Sequence, residues 1–356
     1  MKAEYIVGAL VVVLAGTGLA FLYLGPVPGR GSAVCEASST CPPQNMDVPE
    51  QRGEPYKEIV DPSGFVNTEP FTLGEFIGKK VILLDFLTYS CINCQRTFPY
   101  LNAWDEKYRD QGLLIVGIHT PEFAFEKDIR NVRDAMKKFG ITHPIVLDND
   151  YATWRAYGNN YWPRKYLIDI HGSIVYDHIG EGAYEETEQK IRELLAERAR
   201  VLGEETQANG ALAASVVAPT TIAANSPETY FGSARNELLG NGVPGASGIR
   251  TFTLPETFRR DTLYLGGSWE VMPEYARTTN AEARIAYRFD ARNVYFVAGA
   301  AGPIEVTVLV DGKETKRLTI RANTLYMLVE NATPGEHVLE LIIHNPGLEA
   351  YTFTFG

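Results

Sequence analysis

The chain has 356 residues, which is long for a single core and allows two domains plus accessory segments. Its 33 basic and 44 acidic residues leave a net charge of −11 with no basic run, so nucleic acid is not expected as a partner. All four cysteines, Cys35, Cys41, Cys91 and Cys94, lie in the first third, which argues against a disulfide framework holding the whole fold.

The N-terminal segment is apolar enough to act as a membrane anchor. Residues 6–24 are 19 consecutive residues without a charge, about the length that crosses a hydrocarbon core. A cleaved signal peptide normally has a shorter apolar region, and no Ala-x-Ala cleavage pattern follows this one. We expect residues 1–25 to form a single uncleaved transmembrane helix, with a cleaved signal peptide as the alternative. Both possibilities place the rest of the chain outside the cytoplasm, in the periplasm or at the cell exterior.

Residues 26–55 are rich in Pro, Gly, Ser and acidic residues, a composition typical of a linker. Cys35 and Cys41 lie in this linker and are expected to form a small local disulfide in an oxidising compartment. The alternative is a second redox pair that relays electrons to the main site. A zinc site from the two cysteine pairs is disfavoured, because the 49 residues between Cys41 and Cys91 include the linker, and no metal is expected.

Residues 56–202 alternate between strand and helix patterns, which predicts an α/β domain with a central mixed sheet and helices on both faces. Val81–Leu87 is nearly all apolar, as expected for a strand that is buried on both faces. The other predicted strands are 113–119, 144–147, 164–170 and 174–179, and the predicted helices follow Cys91 and cover 126–139 and 187–201.

Cys91 and Cys94 form a Cys-Ile-Asn-Cys tetrapeptide directly after the strand Val81–Leu87. Their spacing puts both thiols on one face of a first helical turn, where the helix dipole and free N–H groups favour a thiolate. A metal-binding pair and a structural accident are the alternatives, but this context favours a redox pair. We expect Cys91 to attack a substrate disulfide and Cys94 to resolve the mixed disulfide, with no cofactor other than the Cys91–Cys94 disulfide itself.

Three further features of this domain could serve the cysteines. Asp85 lies in the buried strand, and a buried carboxylate is costly unless it has a function or pairs with a Lys or Arg. The Trp162-Pro163 bond, before a predicted strand, is either an ordinary trans bond or a cis bond that exposes backbone groups to a substrate. His119 is either an acid, base or metal group near the site or, as is usual for a lone His at a strand end, structural.

Residues 203–225 shift to Ala, Thr, Ser and Asn, which is typical of a second linker. Residues 226–356 then contain short strand patterns with turn signals, including Asp311-Gly312. The predicted strands are 284–291, 294–300, 305–310, 317–320, 325–330, 336–344 and 351–355. Such a run of strands without a long helix predicts an all-β sandwich.

Taken together, the residues of the first domain resemble the thioredoxin superfamily. Asp85, the Cys91/Cys94 pair and Pro163 occur in that family's order. Pro99 lies five residues after Cys94, so this segment resembles the Cys-x-x-Cys-x4-Pro pattern of exported TlpA/ResA-type proteins. Residues 56–356 as a whole resemble the C-terminal half of DipZ-type proteins. The segments that carry this resemblance are 89–94, 117–123, 161–163, 178–182, 226–230 and 351–356.

The resemblance implies a role for each residue of the motif. Cys91 is then the nucleophile and Cys94 the resolving cysteine, while Asp85 assists proton transfer. Pro163 is expected to be cis and, with the neighbouring Trp162, to shape the substrate groove.

The chain differs from the families that it resembles in two respects. Ser90 stands where many thioredoxins have Trp, so one wall of the substrate groove differs. DipZ-type proteins begin with a multi-helix membrane module that feeds electrons to the thioredoxin part, whereas this chain has one apolar segment. We therefore expect its reductant to be a separate CcdA-type membrane protein.

The second domain resembles the carbohydrate-binding-module-like domain of DipZ-type proteins. Trp269, Tyr264 and Tyr275 could form an aromatic platform for a sugar or a peptide. The alternative is that they belong to the core, as aromatic residues of a sandwich usually do.

The sequence therefore predicts an exported, membrane-anchored thiol–disulfide oxidoreductase that reduces protein disulfides, and the direction of transfer rests on the family alone. One alternative is a peroxiredoxin-like thiol peroxidase, suggested by Thr88-x-x-Cys91, although Leu84 stands where that family has Pro. The other is a non-catalytic surface protein that binds a ligand and uses its thioredoxin domain as a scaffold.

Overall fold

The computed structural model describes residues 53–205, 210–217, 224–330, 332–333 and 335–356. The predicted anchor in residues 1–25 and the pair Cys35 and Cys41 lie outside these residues. Among the helices of the described residues, none is long and apolar enough to cross a membrane. The two domains that follow belong to one compact unit.

Seven strands form the sheet of the first domain. They are β1 (Glu54–Pro55), β2 (Gly64–Val66), β3 (Val81–Leu87), β4 (Leu113–His119), β5 (Ile145–Leu147), β6 (Arg164–Ile168) and β7 (Ser173–Ile179). Their order across the sheet is β1-β7-β6-β3-β4-β5-β2. Strand β3 pairs in parallel with β4 and antiparallel with β6, so the sheet is mixed, as predicted. Every residue of β3 is buried, because side chains cover both faces of the sheet.

Four α-helices cover this sheet. They are α1 (Ile92–Tyr108), α2 (Ile129–Lys138), α3 (Ala152–Ala156) and α4 (Tyr184–Leu202), and shorter 3-10 helices occupy Leu73–Glu75, Arg109–Gln111, Ala124–Lys127 and Ala214–Val216. Apolar side chains of α1, α2 and α4 form the core on one face of the sheet. The short α3 and residues 56–77 contribute to the core on the other face. The prediction of helices on both faces is confirmed, although the three longer helices share one face.

Eleven strands form the second domain. They are β8 (Thr229–Tyr230), β9 (Gly248–Phe252), β10 (Leu263–Val271), β11 (Ala276–Thr278), β12 (Ala283–Asp290), β13 (Val294–Gly299), β14 (Ile304–Val310), β15 (Lys313–Ile320), β16 (Thr324–Val329), β17 (Glu336–Ile343) and β18 (Glu349–Phe355). The seven predicted strands correspond to β12–β18. Strands β8–β11 escaped prediction, because β9 is mostly exposed and two glycines interrupt the apolar pattern of β10.

The prediction of an all-β domain is confirmed, but the predicted sandwich needs a correction because its two sheets are joined. Strand β10 pairs with β12 through Leu263–Gly266 and with β9 through Gly267–Val271. Gly267 has a φ of 88°, a left-handed conformation that side chains with a Cβ rarely adopt. The strand can therefore turn at Gly267 and continue into the other half of the domain. The result is one continuous, barrel-like path of strands.

Candidate active site

The first turn of α1 carries both cysteines. Cys91 is the N-cap residue, and its carbonyl accepts a hydrogen bond from Gln95 N at 3.0 Å. Cys91 is partly exposed whereas Cys94 is completely buried, and both are free thiols. Burial, reinforced by the Cys91 sulfur and the Asp85 carboxylate, raises the pKa of Cys94 well above its ordinary value. Cys91 is thus the thiol that a substrate can reach, and Cys94 needs a base to lose its proton.

Asp85 lies in β3 behind the cysteines, next to a lysine that the sequence analysis did not single out. Asp85 and Lys165 are directly paired on the adjacent strands β3 and β6, and both are fully buried. Neither carboxylate oxygen of Asp85 has a hydrogen-bond partner within the described part of the chain. Lys165 Nζ donates to Gly180 O at 3.2 Å. A lysine directly before the apolar residues 166–168 of a predicted strand is the signal that could have identified Lys165, because every residue of β6 after Arg164 is buried.

In this buried pair, burial and the partner's charge shift the pKa of each group in opposite directions. Burial raises the pKa of Asp85 to about 7, although the positive charge of Lys165 lowers it. Burial likewise lowers the pKa of Lys165, while the negative charge of Asp85 raises it. A carboxyl group with a pKa near neutrality can accept and release a proton at physiological pH. Asp85 is therefore suited to take the proton from Cys94.

The residues predicted for the substrate groove surround Cys91. The Trp162-Pro163 peptide bond is cis. Trp162 lines a cavity beside Cys91, and its Nε1 donates to Thr120 O at 3.1 Å. Pro163 is buried, and its carbonyl accepts a hydrogen bond from Gly180 N at 2.8 Å. Ser90 also lines the cavity, but its hydroxyl is turned away toward a buried carboxylate.

That carboxylate is Glu126, a residue that sequence analysis placed only at the start of a helix. It is fully buried, and its Oε1 accepts from Ser90 Oγ at 2.6 Å and from Ser90 N at 3.3 Å. Its Oε2 accepts from the backbone N–H groups of Glu122 and Phe123 at 2.7 and 3.0 Å. Glu126 therefore ties the loop before Cys91 to the segment after β4. An acidic residue directly after the apolar run Phe123-Ala124-Phe125 is the signal that could have identified it.

The second domain contributes to the cavity beside Cys91. The cavity has a volume of about 270 Å³ and lies between the two domains. Its lining residues from the second domain are Glu228, Tyr230, Arg235, Val297, Thr352 and Thr354. The candidate site is thus completed by a domain that sequence analysis treated as separate.

A polar cluster holds the two domains together at the edge of this cavity. Glu122 of the first domain accepts from Tyr230 Oη at 2.9 Å and from Arg235 Nη1 at 2.8 Å. The Arg235 guanidinium lies 3.7 Å from the centre of the Tyr230 ring. Nearby, the rings of Phe123 and Tyr351 pack edge to face with centroids 5.0 Å apart. These contacts fix the segment that also carries Glu126.

The three aromatic residues proposed for a platform in the second domain fit the alternative that they pack inside the domain. Trp269 is completely buried, and its Nε1 donates to Gly266 O at 2.9 Å. Tyr264 is also buried, whereas Tyr275 is partly buried and packs on Tyr351 at a ring distance of 5.1 Å. Trp269 belongs to the core of the domain, because its position on β10 points inward. The three rings therefore offer no shared exposed surface for a sugar to stack on.

His119 corresponds to the structural alternative. Its ring is fully buried and stacks on Tyr89, with centroids 5.7 Å apart and planes at 22°. Burial lowers the pKa of His119 to about 4, so the ring is neutral at physiological pH. His119 therefore packs beneath the active-site loop as an uncharged aromatic group.

Comparison with known families assigns each domain separately. The family described as "Redoxin" matches residues 51–195. The family described as "Thioredoxin like C-terminal domain" matches residues 226–356. The two matches correspond to the two domains. The cavity beside Cys91 is lined by residues from both matched regions.

Several other proteins are similar to all or part of this chain. "Protein DipZ" of Mycobacterium bovis is 36% identical over 297 residues, which is 83% of this chain and 42% of DipZ. "Thiol-disulfide oxidoreductase YkuV" of Bacillus subtilis is 30% identical over 144 residues, which is 40% of this chain and 96% of YkuV. A solved thioredoxin-like protein in its oxidised form is 28% identical and covers 42% of this chain and 99% of its own, with a TM-score of 0.38. The chain thus spans less than half the length of DipZ.

Proposed function

Because the chain belongs to the thioredoxin-like family of thiol–disulfide oxidoreductases, we propose that it reduces disulfide bonds of protein substrates. The observation that most supports this proposal is the contrast between its two cysteines. Cys91 is accessible at the N-cap of α1, whereas Cys94 is buried beside Asp85, a carboxyl group with a pKa of about 7. This arrangement suits an attacking thiol and a resolving thiol with its own base.

The proposed reaction has two steps. The Cys91 thiolate attacks one sulfur of the substrate disulfide, so the substrate S–S bond breaks and a Cys91–substrate disulfide forms. The second substrate sulfur leaves as a thiolate and takes up a proton. Asp85 then accepts the proton of Cys94, and the Cys94 thiolate attacks the Cys91 sulfur. The Cys91–Cys94 disulfide forms as the remaining substrate sulfur leaves as a thiolate and takes up the proton held by Asp85. The substrate thus departs as a dithiol, and two electrons have passed to it.

The proposed setting is extracytoplasmic, with the chain tethered by residues 6–24 and reduced by a CcdA-type membrane protein. The uncharged run of 19 residues and the resemblance to DipZ-type proteins support this setting. Protease treatment of cells tests it. An extracytoplasmic domain is digested once the layers outside the cytoplasmic membrane are made permeable, while that membrane is still intact. Protection of the domain until the cytoplasmic membrane is broken would contradict it.

Insulin reduction with dithiothreitol tests the activity itself. We expect Cys91→Ser to abolish catalysis and Cys94→Ser to accumulate a mixed disulfide with the substrate. A Cys91→Ser variant that is as active as the wild type would contradict the proposed oxidoreductase activity. Equilibration of the Cys91–Cys94 pair with glutathione tests the direction: a potential near about −270 mV supports a reductase, and one near about −120 mV contradicts it.

A further inference from the structure

The cavity beside Cys91 has two walls that belong to different domains. Tyr161 and Trp162 line it from the first domain, and Tyr230 lines it from the second. Tyr161 is half exposed, so its ring is free to contact a ligand. The contacts of Glu122 with Tyr230 and Arg235 hold the second wall in place. A substrate that approaches Cys91 through this cavity therefore lies between the two domains.

The size of the cavity limits what can enter. Its volume of about 270 Å³ is below the range of about 300–1,000 Å³ that is usual for small-molecule sites. An extended polypeptide advances roughly 3.3 Å per residue and is narrow enough to lie in such a cleft. A folded domain is too large to enter a cavity of about 270 Å³, so only the segment that carries the disulfide can reach Cys91 through it. The geometry thus favours a disulfide on an extended segment.

The charges of the cavity are unequal. Glu122 and Glu228 provide two carboxylates, and Arg235 provides one cation. Arg235 forms its ion pair with Glu122, at 2.8 Å. When Glu228 is ionised, its carboxylate therefore gives the cavity an excess negative charge. A cationic side chain on the substrate would balance this charge.

We propose that the cavity selects disulfides on extended polypeptide segments that carry a cationic side chain beside the cysteine, and that Glu228 makes this selection. The inference rests on the thiol–disulfide exchange proposed above. It assigns the second domain a direct part in choosing the substrate. In this role Glu228 is a specificity-determining residue.

Three short peptide disulfides of one length test the selection, with Arg, Gln or Glu on both sides of the cysteine. The whole chain is reduced first, and its oxidation by each peptide is followed by tryptophan fluorescence in single-turnover mixing. Each rate constant is divided by that of the same peptide with dithiothreitol, which removes intrinsic differences in reactivity. Desolvation by the cavity walls and the charge of Glu122 raise the pKa of Glu228 to about 7, so the rates are measured at pH 8.

We expect the Arg peptide to react about tenfold faster than the Glu peptide with the wild type and less than threefold faster with Glu228→Gln. Glu256→Gln removes an exposed carboxylate elsewhere in the second domain and should leave the ratio unchanged. Cystamine, a small cationic disulfide, should react at least tenfold more slowly than the Arg peptide. Equal rates for the Arg and Glu peptides, an unchanged ratio in Glu228→Gln, or cystamine as fast as the peptide would each overturn the proposal. Absence of reaction with all disulfides would instead overturn the proposed function.

Discussion

Asp85 and Lys165 face each other across two adjacent antiparallel strands, and water reaches neither side chain. Each group carries a charge that is costly to bury, and neither carboxylate oxygen of Asp85 accepts a hydrogen bond from a described residue. Such an arrangement lowers the stability of the fold, so its position directly behind Cys94 points to a role in catalysis. Two predictions follow from the charges of this pair.

The first prediction concerns the pH dependence of stability. The pKa of Asp85 rises from 3.8 to about 7 on folding, mainly because of burial. Between these values the folded state holds a proton that the unfolded state has lost, so stability falls as the pH rises from about 4 to 7. We expect Asp85→Asn to be more stable than the wild type at pH 8 by about 2–4 kcal/mol and nearly equal at pH 4.

Chemical denaturation of the whole chain at pH 4 and pH 8 measures this effect. Asp134→Asn is the matched control, because Asp134 is exposed on α2. The same denaturation midpoint shift in both variants would show that burial of Asp85 is not the cause.

The second prediction concerns Lys165. Its positive charge lowers the pKa of Asp85, so Lys165→Met should raise that pKa further, by about one pH unit. The pH dependence of the proposed resolution step, in which Cys94 would attack the mixed disulfide, should shift upward by the same amount. Rapid mixing of the reduced protein with a small disulfide at several pH values measures it. Lys313→Met, a change at an exposed position on β15, should leave the profile in place. If Lys165→Met leaves the pH profile of this step unchanged, Lys165 does not influence the proton transfer.

The third prediction concerns Glu126. Its carboxylate accepts from Ser90 Oγ and from the backbone N–H groups of Ser90, Glu122 and Phe123. Glu126→Ala leaves these buried donors unsatisfied, which should cost about 3 kcal/mol of stability and loosen the loop before Cys91. Thermal unfolding and the rate of Cys91 alkylation by iodoacetamide report the two effects. Glu69→Ala, at an exposed position, should alter neither, and an equally small effect in both variants would contradict the assignment.

The fourth prediction tests the contact of Gly232 with the backbone of the second domain. A Cβ at this position would lie 2.2 Å from the carbonyl carbon of Glu274 and 2.4 Å from Pro273 O. Backbone atoms cannot move aside as a side-chain end can, so Gly232→Ala should cost about 3 kcal/mol of stability. At Gly302 a Cβ would meet no atom within 4 Å, and Gly302→Ala should be neutral. Equal unfolding midpoints for the two variants would refute this packing.

Much of the fold follows from local patterns. Strands β3 and β4 have the predicted bounds, because a strand buried on both faces is a nearly continuous apolar run. Strands β12–β18 follow from short runs between turn residues. Strand β10 does not, since its pairing depends on a turn at Gly267 that joins two halves of the domain.

The sequence by itself identified the groups of the proposed reaction: two cysteines and a carboxylate lie close together in the chain, on one strand and at the start of the helix after it. Only the tertiary structure decided what surrounds them. Lys165, Glu126 and Glu228 come from distant segments, and their positions depend on strand pairing and on the packing of one domain against the other. Local sequence patterns report which residues are buried, but they do not report which distant residues become neighbours.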